Sequence, residues 1–293
     1  MLIESFLDYL RLERNYSEKT IVSYGTDLRE FEGYLKKTEE ILDLKKAHAD
    51  HVRNWMVSLM DNGRVATSVN RKLSSLRSFY RYLLGRKEIK ANPMLKVVGP
   101  KKKKPLPSFV REKDMDRLLD EIPFANDYEG FRDRAILEMF YATGMRLSEL
   151  IGLNDTDVDL STRLLKVTGK RDKQRLIPFG NELVERLLTY IKVRNETCPD
   201  RVEAFFVGKS GKRMYPMQVY RLVKRNLSKV VTLKKRSPHV LRHTFATAML
   251  NDNAELRAVQ GLLGHESLAT TEIYTHTTFE ELKKIYEQAH PRA

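Results

Sequence analysis

The stretch 237–274 reads SPHVLRHTFATAMLNDNAELRAVQGLLGHESLATTEIY and concentrates the side chains best suited to proton and phosphate chemistry. His239, Arg242 and His243 stand three and four residues apart, so on a helix opened by Ser237 and Pro238 they share roughly one face. A guanidinium is then presented beside imidazoles. A second apolar-periodic piece, Leu256, Val259, Leu262 and Leu263, stops at Gly264, with His265 just beyond it. Tyr274 follows, flanked by threonines and ahead of His276.

Two further segments must supply the rest of such a site. In ATGMRLSEL, Gly144 ends a helix, while Ser148 and Glu149 suit the first turn of the next. Arg146 lies in the junction, where its fork can point at a ligand held at the helix N-terminus, pair with Glu149, or do both. Residues 164–167 and 175–179 are β-like runs around TGKRDKQ, a hairpin with a basic tip. Lys170, directly after Gly169, is best placed to reach into a neighbouring groove; Arg171, Lys173 and Arg175 read as phosphate contacts or solvated charges.

Arg146, Lys170, His239, Arg242, His265 and Tyr274 have no matching cluster of carboxylates, which favours phosphoryl transfer. Two guanidinium forks can grip the nonbridging oxygens of a phosphate and stabilise the extra charge of a pentacoordinate transition state without a metal. A phenol held in line with phosphorus becomes a competent nucleophile and yields a covalent phosphotyrosine. A hairpin lysine could protonate the departing sugar hydroxyl, and histidines could transfer protons or orient the phosphate.

The elements that position these residues are mainly helical. Ile3, Phe6, Leu7 and Leu10 recur at helical spacing, and Ser17 opens a second helix carrying Ile21, Tyr24, Leu28, Phe31 and Leu35. A third spans about 50–60 and a fourth about 67–85, which gives a four-helix bundle over residues 1–90. Its basic third and fourth helices are the natural groove-facing or phosphate-facing elements, with Arg71, Lys72, Arg77 and Arg81 on the fourth opposite its apolar face. The aromatics of this bundle read as core. Residues 91–108, ANPMLKVVGPKKKKPLPS, read as an extended linker in which Lys101, Lys102, Lys103 and Lys104 can follow a phosphate backbone. Residues 109–293 form a second, mostly helical domain with a small antiparallel β-sheet.

With 53 Lys and Arg against 39 Asp and Glu the chain carries a formal charge of +14, which points to a polyanionic partner. The charge is unevenly placed. Residues 51–100 hold 10 Lys/Arg and 2 Asp/Glu, net +8, and 201–243 hold 12 and 1, net +11, whereas 1–50 hold 8 and 11, net −3. Two separate basic tracts suggest two surfaces facing one polyanion. No apolar run is long enough to span a bilayer and the opening segment lacks a signal-peptide pattern, so a cytoplasmic protein without membrane attachment is expected. The single cysteine, Cys198, has no partner for a disulfide and no companion for a thiolate metal site.

The segments ATGMRLSEL, HVLRHTFAT and LLGHESLATTEIYTH closely resemble the signature boxes of the tyrosine recombinases, the integrase family, nearest to the bacterial Xer recombinases of the XerC and XerD type. The resemblance covers essentially the whole chain. It implies a SAM-like core-binding domain ahead of a catalytic domain. By position, Arg146 and Arg242 then correspond to the phosphate-gripping arginines, Lys170 to the general acid, His239 and His265 to the activating histidines, and Tyr274 to the nucleophile. Glu149 and His243 correspond to supporting residues, and His276 also fits its box. It further implies no metal and no nucleotide cofactor, and recombination of double-stranded DNA sites through 3′-phosphotyrosine intermediates and a Holliday junction. The working assembly would be a homotetramer or a heterotetramer with a paralogous recombinase, with the two domains holding opposite faces of the duplex and a DNA translocase as activator. Chromosome dimer resolution is the implied role; a phage- or mobile-element integrase is the alternative. Relatives dock their last helix on the neighbouring protomer, and Phe279, Leu282, Ile285 and Tyr286 give this chain an apolar tail face that could do so, ahead of packing on its own domain. A type IB topoisomerase would use the same side chains to nick and reseal one strand. A zinc hydrolase built on His239, His243, His265 and His276 lacks the glutamate of a metalloprotease, and a non-catalytic DNA-binding protein leaves the constellation unexplained.

Overall fold

The computed structural model describes residues 2–41, 43–102, 108–169, 172–264 and 276–293, with backbone alone over 276–278. The chain folds as two units, Met1–Pro105 and Leu106–Ala293. In the first, Leu2–Leu12 (α1), Glu18–Thr38 (α2), Ala49–Asp61 (α3) and Ala66–Gly85 (α4) form the four-helix bundle that the apolar periodicity predicts. Phe6, Phe31, Trp55, Phe79 and Tyr80 are fully buried. Phe6 meets Phe79 edge-on at 5.4 Å, and Tyr80 donates to the Leu44 carbonyl at 3.0 Å, so these aromatics are core rather than base-stacking groups.

Two expectations about this unit are corrected. The linker does not begin at residue 91: Pro93–Lys96 form a 3₁₀ turn, Met94 and Val97 are buried in the bundle core, and Asn70 and Arg77 donate to the Pro100 and Val97 carbonyls. The prolines of this segment mask two apolar anchors that the bundle can bury. Lys72 is not on the outward face of α4. It is 6% exposed and paired with Asp27 at 3.1 Å and Glu30 at 2.5 Å. Asp27, itself buried, also receives both Arg71 terminal nitrogens and the Ser75 hydroxyl. A buried carboxylate needs such partners to offset its desolvation, so these cations link α4 to α2 before they serve any ligand. Arg81 remains exposed.

The second unit contains Glu112–Asp116 (α5) running into a π turn at Arg117–Glu121, Tyr128–Thr143 (α6), Leu147–Gly152 (α7) and a three-stranded sheet. After the sheet come Asn181–Thr197 (α8), Pro216–Leu227 (α9), Pro238–Asn251 (α10), Leu256–Leu263 (α11) and His276–Ala289 (α12). The strands Val158–Asp159 (β1), Leu164–Thr168 (β2) and Gln174–Pro178 (β3) pair antiparallel in the order β1-β2-β3, with Leu165 opposite Ile177 and Val167 opposite Arg175. Asp127 caps α6 through a 2.8 Å bond from Gly130 N. The helix is buried on nearly every face, packed against α8 and α10.

In the single chain α12 packs on its own domain. Tyr286 and Ala289 are buried with Phe245, Met249, Val259 and Leu262, and Leu282 and Ile285 pack on the same cluster. His290 lies between the Phe245 and Tyr286 rings and bonds the Tyr141 carbonyl. Arg292 reaches Glu138 at 3.0 Å, Glu182 at 2.9 Å and Asp116 at 3.1 Å, and also Asp120. The apolar face seen in the sequence is covered in cis, and the residues after it add a charged anchor.

Candidate active site

Three arginines and one glutamate form the site's frame. Gly144 closes α6 in the left-handed conformation, with φ of 57°, and a Cβ there would come within 2.5 Å of the Phe245 ring. Glycine is therefore required by both backbone and packing, and it delivers Arg146 to the start of α7. Glu149, in the first turn, accepts the Arg146 backbone N–H at 2.8 Å with one oxygen and its guanidinium at 2.7 Å with the other. The ion pair anticipated from the sequence is present, and Arg146 still leaves a second terminal nitrogen for other acceptors.

Arg175 approaches the same carboxylate from β3. Its two terminal nitrogens bind Glu149 at 2.8 and 2.9 Å, and its Nε donates to the Leu262 carbonyl at 2.9 Å. The sequence reading placed Arg175 among solvated charges or phosphate contacts; its side chain is only 15% exposed and points inward. Alternation carries the missed signal: Arg175 stands opposite the buried Val167 and two residues from the buried Ile177, and so on the covered face of the sheet.

Arg242 is on α10, where Ser237 sits at the N-cap and Pro238 opens the helix as the sequence predicts. Arg242 is 9% exposed, while His239 and His243 are exposed one turn apart. Its terminal nitrogens donate to the Gly144 carbonyl at 2.8 Å and the Leu263 carbonyl at 2.6 Å. Arg146 completes the pattern by donating to the Gly264 carbonyl at 2.9 Å. Leu262, Leu263 and Gly264 carry the carbonyls left open where α11 ends, and a different arginine caps each one. Gly264 has φ of 65°, and a Cβ there would press on Arg175 at 3.2 Å.

The electrostatics follow from this packing. Burial alone would raise the Glu149 carboxyl, but hydrogen bonds and charge from Arg175 and Arg146 hold it below the ordinary range. Burial, then the neighbouring Arg146 charge, pull Arg242 down to about 10, so it remains cationic at neutral pH. Among the described residues Arg242 is bound by neutral carbonyls, whereas Arg175 is neutralised by a carboxylate. A site with concentrated, partly uncompensated positive charge and rigid forks is suited to an anion with several oxygens.

Arg146 and Arg242 are brought together on the carbonyls just before residue 265. Lys170, Arg171, His265 and Tyr274 lie outside the described residues, as do Lys103 and Lys104 and the side chain of His276. Lys101, Lys102 and Lys173 are exposed. Among the described residues, no group of three or more His, Cys, Asp and Glu could hold a metal ion. None of the described helices is long and apolar enough to cross a membrane.

The comparisons with known proteins agree with this organisation. The phage integrase family matches residues 108–281, and the phage integrase N-terminal SAM-like domain matches residues 3–87. The chain is 41% identical to tyrosine recombinase XerC of Chlorobaculum parvum, over 99% of this chain and 94% of that protein. It is 36% identical to tyrosine recombinase XerD of Staphylococcus aureus strain Mu50, over 100% and 99%. In fold it matches XerH site-specific recombinase, solved in a post-cleavage complex with palindromic difH substrate, at a TM-score of 0.74 and 23% identity over 96% of this chain and 83% of that one.

Proposed function

From the premise that this chain belongs to the phage integrase family and is a tyrosine recombinase acting in site-specific DNA recombination, we propose that Arg146 and Arg242 are its phosphate clamp and Tyr274 its nucleophile. The observation that carries this reading is the convergence of Arg146 and Arg242, from separate helices, on the carbonyls of Gly264 and Leu263. The clamp grips the nonbridging oxygens of the scissile phosphate. The Tyr274 phenol then attacks phosphorus, the 5′ oxygen leaves with a proton from Lys170, and a 3′-phosphotyrosine remains. His239 and His265 orient the phosphate and move the phenolic proton, with His243 in support. The 5′ hydroxyl of a partner strand reverses the step, and two rounds pass through a Holliday junction.

The DNA-binding surface includes Arg81 and the linker lysines Lys101 and Lys102, which are exposed. We assign the chain to a tetramer on a pair of recombination sites, formed by copies of itself or with a paralogous partner, in chromosome dimer resolution in the cytoplasm. Tyr274→Phe tests the chemical assignment. On a nicked site that traps the intermediate, the parent protein forms a covalent DNA adduct and the variant forms none while binding within a few-fold of the parent; an adduct in the variant removes Tyr274 from the role.

A further inference from the structure

Arg175 has no role in the phosphate clamp described above, yet it is the side chain that joins the clamp's parts. Its Nε and both terminal nitrogens donate inward, to one neutral carbonyl at the end of α11 and to both oxygens of Glu149 on α7. It starts from β3, so one planar group connects the hairpin, the helix that presents Arg146, and the turn that ends in Gly264. The hairpin lies close to the same carboxylate: a Cβ at Gly169 would be 3.7 Å from a Glu149 oxygen, and Gly169 N closes the turn on the Lys173 carbonyl at 2.8 Å. Gly264 leaves the space its guanidinium occupies.

We propose that Arg175 is a positioning residue for the recombination reaction. It fixes Glu149 against Arg146 and ties the hairpin to the end of α11, so that the clamp arginines are set before a phosphate arrives. The assignment rests on the reading of Arg146 and Arg242 as that clamp. Charge compensation separates the three arginines. Arg242 donates to carbonyls and keeps its charge for an anion, and Arg146 shares one terminal nitrogen with Glu149 and is a third exposed. Arg175 spends its charge on Glu149. A fork held this way confers geometry on its neighbours while offering no net charge to a substrate.

The test is single-turnover cleavage of a nicked site, measured against pH, by the full-length protein and its Arg175→Gln, Arg175→Lys, Glu149→Gln and double Arg175→Gln/Glu149→Gln variants. The described charged groups around Glu149 are Arg146, Arg175 and Arg242. Without Arg175, burial acts on Glu149 against Arg146 and Arg242 alone, so the carboxyl protonates at higher pH and releases Arg146. Arg175→Gln is expected to cleave about 10- to 100-fold more slowly near neutral pH, the loss of one or more charge-assisted hydrogen bonds. Its acid limb should move to higher pH by about one unit or more. Arg175→Lys should return that limb towards the parent while restoring only part of the rate, because an ammonium cannot reproduce the fork. The double variant should be within about 3-fold of Glu149→Gln, since Arg175 acts through Glu149. Multiplying losses in the double variant, or an unmoved pH profile with activity that tracks the folded fraction in a melt, overturns the proposal and leaves Arg175 a structural residue. A parent protein that forms no adduct instead defeats the assignment of the clamp itself.

Discussion

The same domain contains two ionic knots of opposite polarity. At the tail, Arg292 is the hub: Asp116, Asp120, Glu138 and Glu182 converge on it, with Arg186 and Arg134 at the edge, so carboxylates outnumber guanidiniums by four to three. At the candidate active site Glu149 is the hub. Arg146 and Arg175 bind it and Arg242 lies beside them, which leaves, among the described residues, three positive charges to one negative, a surplus of two. A cation saturated by carboxylates has nothing left for a substrate; it fastens α12 to α5, α6 and α8. A carboxylate among arginines organises cations without cancelling them, and the surplus of two matches a phosphodiester that passes from one negative charge to two as oxygen attacks phosphorus. Similar side chains thus make a latch in one place and, on the function proposed above, a receptor in the other, according to which sign is in excess.

The largest effect is expected where charge is uncompensated. Arg242→Ala should slow single-turnover cleavage by about 10³-fold, about 4 kcal/mol of transition-state stabilisation, with site affinity changed less than 10-fold. A loss confined to affinity, read by titration of a labelled site, would make this knot a phosphate anchor and erase the contrast with the tail. Arg292→Ala should act on stability instead. Removing it leaves the buried Glu138, among the described residues, with Arg186 at 3.4 Å as its remaining ion pair, at a cost of about 3 kcal/mol in urea unfolding of the catalytic unit. An apolar pair, Arg292→Met with Glu138→Met, should recover much of that loss, because no buried carboxylate is then left without its partner.

The tail also sets a pH dependence. His290 is pushed down to about 4, from 6.5, by burial first, and its Nδ1 accepts the Arg292 N–H while Nε2–H donates to the Tyr141 carbonyl. Between those values the unfolded chain binds a proton that the folded chain refuses, so stability falls as pH drops from about 6.5 to 4, by about 3 kcal/mol in total. His290→Gln should flatten that slope in melts taken across the range; a slope that persists would place the titrating group elsewhere. The smallest effects belong to the N-terminal bundle, where the contrast recurs in miniature. Exposed Arg81→Ala should weaken DNA binding a few-fold and reduce the logarithmic salt dependence by about 1. Lys72→Met should leave that salt slope unchanged, because Asp27 and Glu30 already hold its charge.

Much of this was legible in the residues. Helical spacing located α1 to α4, α10 and α11, and glycine with neighbouring polar residues placed Gly144, Arg146 and Glu149 at one junction. What periodicity could not supply was the pairing of charges across distant segments. Lys72 reads as surface until Asp27, on another helix, is known to be buried beneath it. Arg175 reads as one more basic hairpin residue until Glu149 and Leu262, 26 and 87 positions away, are brought to it. The tail face was visible in the sequence, but its cover was not, because His290 and Arg292 acquire their partners only when α5, α6 and α8 assemble.

If Arg146 and Arg242 form the proposed clamp, the surplus positive charge around Glu149 is held for the transition state of phosphate cleavage. A nicked site with a methylphosphonate in place of the scissile phosphate, neutral where the natural linkage is anionic, tests it most directly. Cleavage by Arg242→Ala relative to the parent protein is compared on the two substrates. The deficit of about 10³-fold on the phosphate should shrink at least about 10-fold on the methylphosphonate, where the charge that Arg242 balances is gone. An equal deficit on both substrates would contradict the claim, and would make Arg242 a structural brace of α11 rather than half of a clamp.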